Sequence, residues 1–115
     1  MRIEIKWDVK DLLDKVGAGA ADGLYEAAEY LLEEANKIVP IEEGTLQRSG
    51  EATVDVQDKQ AAVSYDTPYA TRLHEHPNYE FQDGRQGKWL ETTIKNYGDK
   101  AQEHLVEALK KQLGG

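Results

Sequence analysis

Three adjacent residues, His74-Glu75-His76, are the first place to look for chemistry. Imidazole and carboxylate are metal-ligand types, and a small metal-dependent enzyme using His74, His76 and Glu75 is one reading of the chain. The spacing argues against it. A metalloprotease helix needs histidines four residues apart with Glu between them. In a helix, positions 74 and 76 point about 200° apart and do not grip one ion. In a strand they share a face, but Pro77 opposes a long strand. Surface or interface histidines are the favoured reading, and no metal is expected.

Other reactive types are weaker still. Glu33-Glu34 and Glu42-Glu43 are paired carboxylates, but two-carboxylate catalysis needs a cleft that separates their pKa values. Nothing nearby in sequence builds one, so a solvated helix face and a solvated loop are expected. Ser49 and Ser64 lack an elbow motif. Gly84-Arg85-Gln86-Gly87-Lys88 has half the look of a phosphate loop. It lacks the full spacing, a following Ser or Thr, and a strand leading in. No catalytic residue and no cofactor are expected.

The cations say more. Arg48, Arg72, Arg85 and Lys88 lie in or near loops in the middle of an acidic chain. They suit carboxylates on a neighbouring subunit, where Arg pairs in bidentate fashion, or DNA passing through a channel; scattered surface charge is the equally weighted alternative for each. Trp89 stands beside them as a core anchor or an interface anchor, with the core favoured.

Composition narrows the classes. The 115 residues suffice for one domain, 1–115, with one modest core. A net charge of −8 disfavours whole-surface binding to nucleic acid. With no cysteine, disulfides, thiol catalysis and thiolate metal sites are excluded. Met1-Arg2-Ile3-Glu4-Ile5-Lys6 carries charges where a signal peptide needs an apolar stretch. No run approaches the ~20 apolar residues of a membrane span. A cytoplasm-like compartment and no membrane partner are expected.

The elements that must position these residues follow from periodicity. Residues 2–7 alternate, with Ile3, Ile5 and Trp7 on one side, which predicts a short half-buried strand. Asp8 offers an N-cap oxygen, with Asp11 in the first turn. Apolar residues from Val9 to Ile38 keep helical spacing. Gly17 and Gly19 interrupt them at roughly 1 kcal/mol each relative to Ala. One reading is a short helix, a joint near Gly17–Gly19 and a long helix from about Ala20 to Ile38; the other is that the glycines serve close packing or are simply tolerated. Pro40 ends the helix. Ile41 to Gly50 reads as a loop. Residues 52–56 and 61–65 read as a hairpin across Gln57–Gln60. Thr67-Pro68 opens a short helix with Tyr69, Ala70 and Leu73 on its apolar edge, and Pro77 closes it. Asn78 to Gly87 reads as an exposed mobile loop. A final helix starts near Lys88, with a possible restart at Gly98-Asp99 and a frayed Gly114-Gly115 end. The fold class is α+β, with long helices packed on a small antiparallel β-sheet.

Three stretches then fall into a known order. Val39-Pro40-Ile41-Glu42-Glu43-Gly44-Thr45-Leu46-Gln47-Arg48-Ser49 has a VP…G-x-L-x-x-S pattern. Val63-Ser64-Tyr65-Asp66-Thr67-Pro68-Tyr69-Ala70 continues through Arg72-Leu73-His74-Glu75. Gly87-Lys88-Trp89-Leu90-Glu91 opens the last helix. Together, over roughly residues 10 to 110, they resemble the HK97 gp10-like group of phage minor capsid and tail-component proteins. The tPYA…hE and KWLE segments resemble the minor capsid branch most closely. One departure is the loop Asn78-Tyr79-Glu80-Phe81-Gln82-Asp83, where other branches often carry Gly.

The resemblance implies a small α+β structural protein without catalytic residues, placed at the neck between portal and tail. It implies assembly into a ring, a hexamer or dodecamer. The partners would be head-completion or connector proteins and tail-terminator or tail-tube proteins, with at most passive contact to DNA. It implies residence in the virion at the head–tail junction after synthesis in the bacterial cytoplasm. Arg48, Tyr69, Arg72, His74, Glu75, Arg85, Lys88 and Trp89 are the subunit-interface candidates. An acidic antitoxin- or adaptor-type interaction protein is the alternative, ahead of the metal-dependent enzyme.

Overall fold

The computed structural model describes residues 2–5, 7, 9–39, 45–55, 57, 58, 60–65, 70, 75 and 88–114. They form an α+β fold of helices on a three-stranded antiparallel sheet, the class expected from the periodicities.

The first strand, β1, is Arg2–Ile5. Its alternation holds: Ile5 is buried and Ile3 half-buried, while Arg2 and Glu4 are exposed and lie 3.8 Å apart as an ion pair. The helix α1 is Lys10–Val16. The expected cap Asp8 lies outside the described residues, and the cap position falls on Val9. Its carbonyl accepts the Leu13 N–H at 3.0 Å, but its side chain has no oxygen to cap with. Asp11 in the first turn and Lys15 in the last match the helix dipole.

The glycine joint is present. Gly17 closes α1 at φ +67 and ψ −131, its N–H bonded to the Leu13 carbonyl, and one 3-10 turn spans Gly17–Gly19. A Cβ at Gly17 would meet nothing within 4 Å, so the requirement for glycine is one of backbone conformation alone. Helix α2, Ala20–Asn36, begins directly afterwards.

The apolar stripe of α2 buries Ala20, Leu24, Ala27, Ala28, Leu31, Leu32 and Ala35. Its many alanines let α2 pack against the sheet and against the last helix together. It ends two residues before the expected Ile38, in a turn where the Val39 N–H still reaches the Ala35 carbonyl at 3.0 Å. Pro40 and residues 41–44 lie outside the described residues.

The expected loop from Ile41 to Gly50 needs correction. Thr45–Arg48 form a helical turn, α3, and Gly50 already belongs to strand β2, Gly50–Asp55. Leu46, Gln47 and Arg48 are good helix formers, and tertiary contact fixes the turn in place, as shown below. Strand β3, Gln60–Tyr65, pairs with β2 from Asp55↔Gln60 to Gly50↔Tyr65. The hairpin turn lacks Asn-Gly, but the Asp55 carboxylate accepts the Asp58 N–H at 3.1 Å and closes it.

The sheet order is β1-β3-β2, with β3 central. The register places Ala61, Val63 and Tyr65 of β3 on one face with Ile3, Ile5, Ala52 and Val54, and these residues join the core. Glu4, Glu51 and Asp55 occupy the opposite face, as a period of two requires.

The last helix, α4, is Trp89–Gly114. The expected restart at Gly98-Asp99 does not occur, and the helix runs through both. Leu90, Ala101, Leu105 and Leu109 are buried on either side of Gly98. That continuous burial outweighs a glycine penalty of about 1 kcal/mol. Of the expected short helix after the hairpin, Ala70 and Glu75 are described; both are helical, and Ala70 is buried. The rest of it, and the expected loop from Asn78 to Gly87, lie outside the described residues.

Candidate functional site

Two of the three motif stretches meet at the C-terminal end of α2, and the third packs on one of them. Helix ends leave carbonyls without intrahelical partners. Here Gln47 Nε2 donates to the Asn36 carbonyl at 2.9 Å, which ties the Gly-x-Leu-x-x-Ser stretch back onto α2. The Asn36 side chain is engaged as well. Its Oδ1 accepts the Tyr65 hydroxyl at 2.7 Å, drawing in the end of β3.

Trp89 completes the junction from the third stretch. Its ring meets Tyr65 edge to face, with centroids 5.7 Å apart and planes at 89°. Both rings are wholly buried. Gly50 makes room for Tyr65 and Leu32. A Cβ there would stand 2.8 Å from Leu32 Cδ1 and 3.0 Å from Tyr65 Cε1, so a side chain would push the phenol off Asn36.

A second link crosses the surface beside this core. Lys88 Nζ donates to Glu75 Oε2 at 2.6 Å and lies 3.7 Å from Glu91 Oε1. The hydrogen bond that Lys88 donates to Glu75, and then the charges of Glu75 and Glu91, raise the Lys88 pKa above its ordinary value. Lys88 has φ +56, a left-handed conformation uncommon outside glycine, and its carbonyl accepts the Thr92 N–H at 2.9 Å. It therefore turns the chain into α4 and ties that turn to Glu75.

The expected site residues separate accordingly. Glu75, Lys88 and Trp89 come together, and Arg48 is exposed on α3, adjoining Gln47. Of the two expected roles of Trp89, core anchor or interface anchor, its complete burial in this chain fits the favoured one, the core. Tyr69, Arg72, His74 and Arg85 lie outside the described residues, as does His76. Asn36, Gln47 and Tyr65 were not among the expected site residues. A polar residue in the last turn of an otherwise apolar-striped helix was the available signal for Asn36.

Chemically, this arrangement holds elements together. Burial pushes the Tyr65 phenol far above its ordinary pKa, so it is a neutral hydrogen-bond donor at any ordinary pH. Among the described residues, no group of three or more His, Asp or Glu side chains gathers to hold a metal ion. Glu34, from one of the acidic pairs, bonds Lys37 at 2.8 Å along the helix surface.

The phenol gives a pH prediction. Its folded pKa lies above the unfolded value of about 10, so the folded state keeps a proton that the unfolded state loses. Stability from Tyr65 is full below pH ~10 and falls as pH rises further. Tyr65→Phe should lower stability at neutral pH by about 1 kcal/mol through the lost bond to Asn36. It should also flatten the alkaline decline. Urea unfolding at neutral and alkaline pH checks this, and parallel declines in both proteins would contradict it.

Comparisons of the chain with protein-family models, with curated proteins and with solved structures return no match.

Proposed function

We propose that this chain is a non-enzymatic structural protein of a tailed phage particle, acting at the head–tail junction as one subunit of a ring. The observation that carries the reading is the meeting of the three motif stretches. Residues from 39–49, 63–75 and 87–91 resemble the phage family in sequence order. In space, Gln47 and Tyr65 both bond Asn36 at the end of α2, and Trp89 packs edge to face on Tyr65. Motifs that share one packing junction are expected where a family resemblance reflects a common fold.

In this reading the junction sets the angles among α2, the hairpin and α4, and thereby the shape each subunit offers its neighbours. Head-to-tail contacts that close on themselves make rings, here six-fold or twelve-fold. The ring joins a connector or head-completion protein to a tail-terminator or tail-tube protein and lets DNA pass. Arg48 and the Glu75–Lys88 pair lie at the surface beside the junction, where a neighbouring subunit can reach them.

A second reading draws on a separate observation. Helix α2 carries acidic residues and no Lys or Arg, which suits an acidic adaptor or antitoxin with one tight partner and no ring.

Electron microscopy of lysates from the phage carrying an in-frame deletion of this gene separates the two. The junction role is expected to leave filled heads and finished tails unattached. Intact, infectious particles would overturn it and favour the adaptor.

A further inference from the structure

We propose that the aromatic groove between α2 and α4 is a docking surface for a lysine- or arginine-bearing segment of another protein. The inference rests on side chains that the junction reading does not use.

Exposed aromatic rings gather here. Tyr25 and Tyr97 are 48% and 36% exposed, two of the three large hydrophobic residues that stand open among the described residues. Tyr30 lies between the helices, 6.3 Å from the Tyr97 ring and 4.9 Å from the His104 ring. Two adjoining clefts share Tyr30 and Glu26 as lining. One lies between α2 and α4, over Gly23 toward Glu107, and the other continues it along α2 alone, over Tyr25 toward Asn36.

Charge identifies the occupant. No Lys or Arg occurs between Lys15 and Lys37. Asp22, Glu26, Glu29 and Glu33 recur at steps of three and four along α2 and form a ladder of like charge, which destabilises a helix. Among the described residues none of the four forms a salt bridge, although Lys37, bonded to Glu34, also feels the charge of Glu33, and the single cation lining either cleft is Lys111. Carboxylates beside exposed aromatic faces match ammonium and guanidinium groups, which pair with the first and stack on the second. DNA, being polyanionic, is repelled.

The test titrates the full chain, labelled for amide NMR, with an alanine-based helical peptide carrying regularly spaced arginines. A glutamate counterpart and a short DNA duplex are titrated in parallel. The arginine peptide alone should shift amides of 22–33 and 97–107, and added salt should weaken the effect. The triple variant E26Q/E29Q/E33Q should bind about tenfold more weakly while melting at a higher temperature, because the ladder is relieved. Tyr25→Ala should weaken binding at unchanged melting temperature. Arginine-peptide shifts scattered over all acidic surfaces, unchanged affinity in the triple variant, or equal shifts with DNA would overturn the proposal. Because the readout is the isolated chain, its failure leaves the particle experiment untouched.

Discussion

Replacing Trp89 by Ala is expected to lower the unfolding free energy by about 3–5 kcal/mol. Trp89 is the largest of the wholly buried side chains, in a core otherwise rich in alanine. Removing the indole deletes the edge-to-face contact with Tyr65 and opens a cavity beneath the start of α4. The surroundings have little freedom to collapse into it, because Tyr65 is held by Asn36 and by its place on the central strand. Domains of this size have about 5–15 kcal/mol in total, so the variant should be marginally folded. Urea unfolding followed by far-ultraviolet circular dichroism measures the loss. A loss below about 1 kcal/mol would mean that Trp89 does not anchor the junction.

Leu105→Ala is expected to lose about 2–5 kcal/mol, toward the upper part of that range. Leu105 is wholly buried where α4 lies on α2. A Cβ placed on Gly23 would stand 3.3 Å from Leu105 Cδ1, so the leucine reaches almost to the backbone of α2. Helix α2 is also held by the sheet and has little freedom to move into the space. The measurement is again the urea midpoint, with an unchanged slope to show that the native state stays compact.

The two helices, their joint and the hairpin were legible in the sequence because each rests on local pattern. Gly17 and Gly19 interrupted a continuous apolar stripe, and the break comes at Gly17, whose positive φ favours glycine, while Gly19 keeps a helical backbone. The shortfalls have a common cause. Gly98 looked like a restart because glycine is a poor helix former, but the Leu105 and Ala101 side of α4 holds its seam against α2 across the glycine. Thr45–Arg48 looked like loop because four residues carry no period. That turn is held from outside, by the bond from Gln47 to Asn36.

The site was legible in part. The Lys88-Trp89 stretch and Glu75 stood out as motif positions, and the structure joins Glu75 to Lys88. Asn36 escaped notice because its partners lie 11 and 29 residues away along the chain. The aromatic groove escaped for the same reason. Tyr30 and His104 sit on different helices, and each alone is an ordinary surface residue.

The most direct test of the junction role is to locate the chain in the particle. Purified virions carrying an epitope tag after Gly115 would be labelled with gold-conjugated antibody and viewed by electron microscopy. Gold at the neck, between head and tail, is the expected result. Gold spread over the capsid shell or at the tail tip, or particles free of the tagged chain, would contradict it.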